Sequence, residues 1–374
     1  MPGFLDKILG GFSANKSVLG VDISSSSIKV VQIKREKGAA VLETYGELAL
    51  GPYSGLDSGQ ATALPLEKMS AALKDLLQES KVTTKNCGVA IPMSSSLINL
   101  ISMPQVSQKR LEEMVPIEMR KYIPVPINEV LIDWKVVPKE SAPPSYASRE
   151  EKEEDEVKRK SNRTDVFVVA IHKETIENYT KIVREAGLTP SFLEIEIFST
   201  VRTVSHKPGE SIMIIDFGAG TTKVYIVESG IVKESHVINR GSQNITVSIS
   251  RALGISMAEA EKIKRENGLL PDRNDSFQVS SLVVENIFHE ANRVLINYQT
   301  KFNKSVSQIA LTGGGSIVKG LVTVANKFLS IEAKVSDPFS ILKYPAFLSD
   351  TLKLAGPEFA VAIGVALRKL EESE

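Results

Sequence analysis

The sequence predicts a mixed α/β fold in which two related halves each contain the same β-hairpin. Residues 21–30, VDISSSSIKV, align without gaps with residues 215–224, IDFGAGTTKV. In both segments an apolar run ends in an aspartate, small residues follow, and a lysine stands seven positions after the aspartate. A second apolar run completes each strand–turn–strand pattern. Because the pattern recurs in two parts of the chain, it predicts a duplicated architecture.

The four serines at positions 24–27 predict a tight turn rather than a flexible linker, because strand-like runs flank them on both sides. Small hydroxyl residues in such a turn offer N–H and O–H donors to an oxyanion such as phosphate. Two turns of this kind predict a nucleotide held between the halves. Asp22 and Asp216, at the strand ends, would hold a hydrated Mg²⁺ against its phosphates.

A glycine-rich segment, QIALTGGGSIVKGL at residues 308–321, follows a strand-like run and precedes a helical one. Its three consecutive glycines would let the backbone approach a ligand closely, and the helix after them would present its positive N-terminus. Any tight turn from strand to helix also requires glycine. The position of the segment after both hairpins favours its interpretation as a ligand site.

An inserted subdomain is predicted at residues 85–187, which contain strands and a helix at 107–122 that Pro124 and Pro126 end. Within it, residues 138–164 are rich in proline, serine and charge, which predicts a long mobile loop.

The two halves are predicted from what surrounds this insert. The first half would comprise residues 1–84 and 188–205, and the second 206–374, with the C-terminal helix returning toward the first half. Further amphipathic helices are predicted at 66–80, 175–186 and 281–302.

Composition excludes several classes of function. Lys+Arg and Asp+Glu both number 45, so the net charge of zero gives no general attraction to nucleic acid or anionic membranes. Cys87 is the only cysteine and the four histidines are scattered, which excludes an intrachain disulfide and gives no zinc pattern. No apolar run approaches the ~20 residues that span a bilayer. Residues 1–12 have helical apolar spacing and predict a short amphipathic element.

Together these features resemble the actin-like ATPase superfamily, which includes actin, Hsp70, sugar kinases and the division protein FtsA. Its two phosphate hairpins and its late adenosine segment correspond to residues 22–29, 216–223 and 312–316. The runs LGVDISSSSIKVVQI, LEEMVPIEMRKYIPVPINEVLIDWKVV, AGLTPSFLEIEIFSTVR, ITVSISRALGISMAEAEKIKRENG and FAVAIGVALRKL resemble more specifically the PilM family of type IV pilus assembly proteins. The resemblance implies an actin-like (ribonuclease H-like) duplicated fold with an FtsA-type inserted subdomain.

The resemblance also implies the cofactors ATP and Mg²⁺, with Asp22 and Asp216 facing the metal through water. The implied nucleotide contacts come from both hairpins, a helix and the glycine-rich segment: Ser24, Ser25, Ser26, Lys29, Gly218, Gly220, Thr221, Thr222, Glu261, Lys264, Gly313, Gly314, Gly315 and Ser316. Ser24 stands where the family usually has glycine, which leaves its effect on the first turn open. Lys223 lies further along its strand, so the resemblance does not count it among the nucleotide contacts. For Glu261 and Lys264, the alternative is that they belong to a solvent-exposed helix face of glutamates and lysines.

ATP hydrolysis would need a residue that positions water at the γ-phosphate. Glu194 and Glu196 are the catalytic candidates, because the superfamily's connecting segment approaches the cleft there. Alternation with Leu193, Ile195 and Ile197 also fits a strand with one polar face, which explains both glutamates equally well.

The function that the resemblance implies is a nucleotide-dependent scaffold with at most weak ATPase activity. Its partner would be the N-terminal cytoplasmic peptide of a PilN-type single-span inner-membrane protein, which places the chain in the cytoplasm at the inner face of the inner membrane. A homo-oligomer is a further expectation for an actin-like fold.

Two alternatives share the fold. A small-molecule kinase would need a general-base carboxylate in a substrate pocket. An FtsA-like division protein would carry a C-terminal linker and membrane helix, whereas this sequence ends in ALRKLEESE.

Overall fold

The computed structural model describes residues 17–137, 163–204, 209–270 and 276–372. Two compact units divide them: residues 94–176 form one, and the remainder forms the other. The predicted amphipathic segment at 1–12 and residues 138–162 of the loop predicted at 138–164 lie outside the described residues, whereas Arg163 and Thr164 begin a strand instead of ending a loop.

The first half begins with a three-stranded antiparallel meander, followed by a helix and a strand that runs parallel to the first. These elements are β1 (Ser17–Ile23), β2 (Ser27–Glu36), β3 (Ala39–Ala49), α1 (Leu66–Glu79) and β4 (Asn86–Ile91). The β-branched runs of β1 and β2 are almost wholly buried, as expected for central strands covered on both faces.

The inserted unit is a three-stranded antiparallel sheet with one helix. Its elements are β5 (Ser96–Pro104), α2 (Gln108–Met119), β6 (Val130–Val136) and β7 (Arg163–His172). The strand order is β5-β7-β6, and Leu111, Val115 and Met119 of α2 pack with the buried valines of β7. The unit spans 94–176, compared with the 85–187 that the sequence predicts, because β4 pairs with β1 and so belongs to the first sheet.

The chain then returns to the first half through α3 (Lys173–Glu185), β8 (Thr189–Ile195) and α4 (Glu196–Thr203). β8 adds in parallel to β4, which gives a five-stranded sheet of order β3-β2-β1-β4-β8.

The second half contains the remaining elements. They are β9 (Ser211–Phe217), β10 (Thr222–Glu228), β11 (Ile231–Ile238), α5 (Ser242–Leu253), α6 (Met257–Asn267), α7 (Ser276–Phe302), β12 (Gln308–Thr312), α8 (Leu321–Leu329), β13 (Ala333–Val335) and α9 (Ser349–Glu371). α6 starts at a capping box, in which Ser256 and Glu259 exchange hydrogen bonds. The sheet order is β11-β10-β9-β12-β13.

The predicted duplication is confirmed by the two sheets. In each, an antiparallel meander of three strands is followed by two strands parallel to the first. The hairpin registers also match, since Asp22 lies opposite Lys29 and Asp216 lies opposite Lys223. The sequence repeat therefore corresponds to a structural repeat.

The long helix α9 packs against the first sheet and α4, although it follows the second half in sequence. Two glycines allow this close approach. A Cβ at Gly20 would lie 1.9 Å from the carbonyl oxygen of Ala362, and one at Gly364 would lie 2.0 Å from that of Ser199. Among the helices in the described ranges, none combines the length and apolar character needed to cross a membrane.

Candidate functional site

The turns of the two hairpins close in the same way. The N–H of Ser24 donates to the carbonyl of Ser27 at 3.0 Å, and the N–H of Gly218 donates to that of Thr221 at 3.0 Å. The hydroxyl of Ser24 folds back and donates to the same Ser27 carbonyl at 2.9 Å. Because Ser24 does not have a positive φ, a serine fits this turn position without backbone strain.

The second turn rests on the N-terminus of α5. The N–H groups of Ser242 and Gln243 donate to the carbonyls of Gly218 and Ala219 at 2.9 and 3.0 Å. The buried hydroxyl of Thr222 donates to the Arg240 carbonyl at 2.8 Å, so its side chain supports the turn from behind. The residues of this turn that are left to face a ligand are Gly220 and Thr221.

The two turns face one another across the cleft between the halves. A Cβ at Gly220 would lie 3.5 Å from the Oγ of Ser25 and 3.6 Å from the Cβ of Ala61. The N–H of Ala61 donates to Oε1 of Gln243 at 3.1 Å, while the N–H of Thr62 donates to the Ser25 carbonyl at 2.8 Å. The connection after β3 therefore links the first turn to the second half.

A cluster of buried charges lies beneath the turns. Nζ of Lys223 lies 2.8 Å from Oε2 of Glu196 and 3.1 Å from Oδ2 of Asp216. The other oxygen of Glu196 accepts the N–H of Met93 at 2.7 Å. Asp22 is also buried and interacts electrostatically with Lys29, Lys223 and both of these carboxylates. The structure thus brings both hairpin aspartates to one place, together with Glu196.

The pKa values in this cluster follow from burial and neighbouring charge. Burial is the main cause that raises the pKa of Asp22 to about 7, with Lys29 and Lys223 opposing the rise and Glu196 and Asp216 adding to it. Burial opposes the charged form of Lys223, but Asp216 and Glu196 outweigh it and hold the pKa of the ammonium well above its ordinary value. Lys223 is therefore a fixed cation between two carboxylates.

The carboxylates of Asp22 and Asp216 suit a Mg²⁺ ion that is also coordinated by the phosphates of a bound ligand. Within the described ranges, no group of three or more histidine, cysteine or acidic side chains is arranged to hold a metal ion. Mg²⁺ is commonly held through one or two carboxylates, waters and substrate phosphates. Asp22 and Asp216 fit that mode, because hard oxygen ligands lie at the ends of β1 and β9.

Lys29 has its own partners on the first sheet. Its ammonium donates to Oγ of Ser27 at 2.6 Å and lies 3.1 Å from Oε1 of Glu47 on β3. Burial opposes the charge, but Glu47 and Asp22 outweigh it and raise the pKa of Lys29. A phosphate that contacts Lys29 would therefore meet an ammonium that is already paired with a carboxylate.

The glycine-rich segment adjoins the second hairpin. Gly313 has φ +79°, and a Cβ there would lie 2.3 Å from Oδ1 of Asp216. A Cβ at Gly315 would lie 1.9 Å from the ring of Phe217, and the buried hydroxyl of Ser316 donates to the Gly313 carbonyl at 2.7 Å. Glycine is required at these positions because the backbone passes directly over the end of β9.

Glu261 and Lys264 form an ion pair in which Lys264 is buried and Glu261 is half-buried. Their side chains pair at 2.6 Å, and Oε2 of Glu261 accepts the hydroxyl of Thr246 on α5 at 2.7 Å. Lys264 is only 6% exposed. A Cβ at Gly59 would lie 3.8 Å from Oε1 of Glu261 and 3.7 Å from Nη2 of Arg265, so the connection after β3 also reaches this group.

The two candidate catalytic glutamates are separated. Glu194 is buried, lies 2.9 Å from Arg202 and 3.0 Å from Arg368, and accepts the Ser199 hydroxyl at 2.7 Å. The guanidinium of Arg368 in turn lies 4.3 Å from the ring centre of Phe192. Glu194 thus belongs to an ion cluster beside α4 and α9, and only Glu196 lies with the hairpin aspartates.

Sequence reasoning did not single out Glu47, Met93 or Tyr179. The Tyr179 hydroxyl donates to the Ile23 carbonyl at 3.4 Å, and burial, followed by the nearby Glu196 and Asp22, raises its pKa. The position of Glu47 opposite Lys29 follows from the register of β2 and β3, which a hairpin alignment would have given. The backbone N–H of Met93 carries no sequence signal.

A sequence model of the family described as type IV pilus assembly protein PilM matches residues 20–370. Cell division protein FtsA of Neisseria meningitidis serogroup B is 26% identical over 361 residues, which are 87% of this chain and 84% of that protein.

Solved structures show the same architecture. The PilM–PilN type IV pilus biogenesis complex contains a chain with a TM-score of 0.76 and 24% identity, covering 94% of this chain and 98% of that one. MreB 5 of Spiroplasma citri bound to AMPPNP has a TM-score of 0.53 and 13% identity, covering 96% and 98%. These similarities show that the fold is actin-like.

Proposed function

Because the chain belongs to the type IV pilus assembly protein PilM family, we propose that it is an ATP-binding scaffold of the pilus assembly machinery. It would bind the N-terminal cytoplasmic peptide of a PilN-type inner-membrane protein and act at the cytoplasmic face of the inner membrane. The observation that carries the nucleotide part is the duplicated hairpin, whose two turns face each other above Asp22 and Asp216.

The proposed nucleotide lies with its phosphates between the two turns. The exposed Ser25, the half-buried Ser26 and the ammonium of Lys29 would contact them from the first half. Gly220 and Thr221 would contact them from the second, where a missing side chain permits close approach. Mg²⁺, when bound, would neutralise phosphate charge, and Asp22 and Asp216 would orient it.

The adenosine end would lie toward the second half. Gly313 and Gly314 provide a surface without side chains, and Glu261 with Lys264 offers a charged pair fixed by α5 and α6. A carboxylate that is already hydrogen-bonded and ion-paired is held in one orientation, which suits recognition of ribose hydroxyls.

We propose that binding, rather than rapid turnover, is the main role of this site. Of the two predicted glutamates, Glu196 is the one that would orient a water molecule, because it lies with the hairpin aspartates. Both of its oxygens already accept hydrogen bonds, from Met93 and Lys223. An attacking water would have to compete with an ammonium for Oε2, so we expect any ATPase activity to be slow.

The partner peptide would bind the inserted unit, residues 94–176. In its sheet order β5-β7-β6, β5 and β6 lie at the edges, and an extended peptide can add a strand to such an edge. Apolar side chains of this unit are also exposed, with Ile117 62% and Tyr122 44% accessible. Edge strands and exposed apolar side chains together favour an apolar, extended ligand.

The test is calorimetry with Mg·ATP and Mg·ADP on the wild-type chain and on Asp22→Asn with Asp216→Asn, each with and without a PilN-type N-terminal peptide. The asparagines keep the shape of the carboxylates but remove their charge. We expect the double variant to lose nucleotide affinity by at least tenfold, and the peptide to bind more tightly to one nucleotide state than to the other.

The matched control is Asp350→Asn, which changes an exposed aspartate at the start of α9. It should bind nucleotide like the wild type. If the wild type binds no nucleotide, or if the double variant binds it as tightly as the control does, the hairpins are not a nucleotide clamp. Peptide binding in the absence of nucleotide binding would indicate that the fold is used for protein contacts alone.

A further inference from the structure

A pair of carboxyl groups lies on the side of Lys29 away from the hairpin aspartates. Glu47 on β3 pairs with the Lys29 ammonium at 3.1 Å, and the Glu358 side chain on α9 is hydrogen-bonded to that of Glu47. Glu47 is exposed and Glu358 is half-buried, so solvent reaches both carboxyl groups beside Lys29. None of the roles given above uses this pair.

Glu358 also touches the glycine-rich segment. A Cβ at Gly314 would lie 3.4 Å from the carboxyl carbon of Glu358 and 3.4 Å from its Oε1. The pair therefore connects Lys29 of the first hairpin with the backbone that would line the adenosine pocket. A negative charge on Glu358 would therefore act both on Lys29, which would contact the phosphates, and on the segment that would line the adenosine pocket.

Two carboxyl groups in hydrogen-bond contact share a proton, because two negative charges held this close repel each other. Lys29 can balance one of these charges but not both. The groups that interact electrostatically with Glu358 are Glu47 from β3, Lys29 from β2 and Arg265 from α6.

The proton belongs to Glu358. Burial, followed by the charge of Glu47, raises the pKa of Glu358 to about 7, against the effect of Lys29 and Arg265. Burial also acts to raise the pKa of Glu47, but Lys29 and the hydrogen bonds from Ser27 and Glu358 outweigh it and lower that pKa. Below about pH 7 the pair thus carries one negative charge, which the Lys29 ammonium balances.

We propose that Glu358 is a positioning residue that acts through Glu47 on Lys29, and that loss of its proton weakens the binding of nucleoside polyphosphates. With the proton, Glu358 donates to Glu47 and holds that carboxylate against Lys29. Without it, a second negative charge faces the same space as the phosphates. This inference rests on the proposed function and adds a pH-dependent control to the same site.

The sign follows from linkage. The neutral form of Glu358 favours an anionic ligand, so affinity should be highest below the pKa of about 7 and fall as the pH rises through it. A shift of one unit in one coupled carboxyl group corresponds to a tenfold change in affinity. We therefore expect the wild type to lose on the order of tenfold more affinity between pH 6 and 8 than a variant whose residue 358 cannot ionise.

The experiment is calorimetry with Mg²⁺-free ADP between pH 6 and 8 on the wild type, Glu358→Gln and Glu47→Gln. The phosphate of ADP also titrates in this range, but it does so equally for every variant, so the ratio of affinities cancels it. Glu358→Gln should keep its low-pH affinity up to pH 8. Glu47→Gln should lose the extra pH dependence too, because the charge that raises the pKa of Glu358 is gone. Glu112→Gln, an exposed glutamate of α2, should follow the wild type.

A merely structural role for Glu358 would change affinity equally at all pH values. Parallel curves for the wild type and both variants would therefore overturn this inference while leaving the nucleotide site intact. If Glu358→Gln does not fold, Glu47→Gln decides the question by the same comparison. Absence of ADP binding by the wild type at pH 6, with or without Mg²⁺, would instead overturn the proposed function.

Discussion

Lys223→Met should be strongly destabilising, because it removes the only cation that touches two buried carboxylates at hydrogen-bond distance in the described cluster. The ammonium lies 2.8 Å from Glu196 and 3.1 Å from Asp216, and the three side chains are 14%, 7% and 9% exposed. Methionine fills the volume of the lysine stem, so the loss is electrostatic rather than a cavity effect. Removing one member of a buried ion pair costs about 3–5 kcal/mol.

Scanning calorimetry measures this loss as a change in melting temperature. In domains of about 150–250 residues 1 kcal/mol corresponds to about 2–4 °C, and in a longer chain to less, so the expected decrease is at most roughly 6–20 °C. Lys353→Met, which changes an exposed lysine on α9, is the matched control and should stay within about 0.5 kcal/mol of the wild type.

A second substitution tests the electrostatic explanation. Glu196→Gln in the Lys223→Met background removes one of the two uncompensated charges, so the double variant should be more stable than Lys223→Met alone. If Lys223→Met costs less than about 1 kcal/mol, or if Glu196→Gln only adds a further loss, then the buried ion cluster does not stabilise the cleft as described.

Two further changes test the placement of residues around the cleft. Glu194→Gln should lower the melting temperature, because Arg202 and Arg368 lose a buried charged partner. Nucleotide affinity, measured by calorimetry, should stay unchanged. A loss of affinity with unchanged stability would place Glu194 in the nucleotide site. Gly20→Ala should lower the free energy of unfolding by about 1–3 kcal/mol or more, since the added Cβ would lie 1.9 Å from the Ala362 carbonyl oxygen. Thermal unfolding measures this change, and wild-type stability would mean that α9 does not pack on β1 this closely.

The duplicated hairpins were predictable from sequence because a local repeat encodes a local structure. Strand, turn and register all lie within ten residues, and the two copies even share the same turn hydrogen bond. The spacing of seven between aspartate and lysine corresponds to residues that face each other across the hairpin. The repeat extends beyond the hairpins, since the second sheet follows the same path as the first.

The roles of Glu194 and Glu196 were not separable from sequence. Strict alternation predicts that both project from one strand face, but β8 ends at Ile195 and Glu196 begins α4. This change of backbone direction sends the two carboxylates to different partners. Arg368, which binds Glu194, lies 174 residues further along the chain, so no local pattern could have indicated it. The contact between Glu358 and Glu47 was likewise not predictable from a local pattern, because only tertiary packing brings these two residues together.

The helix α9 ties the proposed ligand segment to the core of the first half. The N–H of Gly313 and the hydroxyl of Thr312 both donate to the Pro357 carbonyl, at 2.8 and 3.0 Å. Further along the same helix, Ala362 packs against Gly20 of β1 and Gly364 packs against Ser199 of α4.

These contacts leave little freedom between the segment and the helix. Close-packed glycine contacts allow α9 to slide only if β1 or α4 moves with it. A ligand that displaced Gly313 would therefore act through Pro357 on α4, the helix that begins at Glu196. We expect a nucleotide that contacts the second half to shift α4 in the first half by this route. The reason is that the two hydrogen bonds and the two glycine contacts all involve one continuous helix.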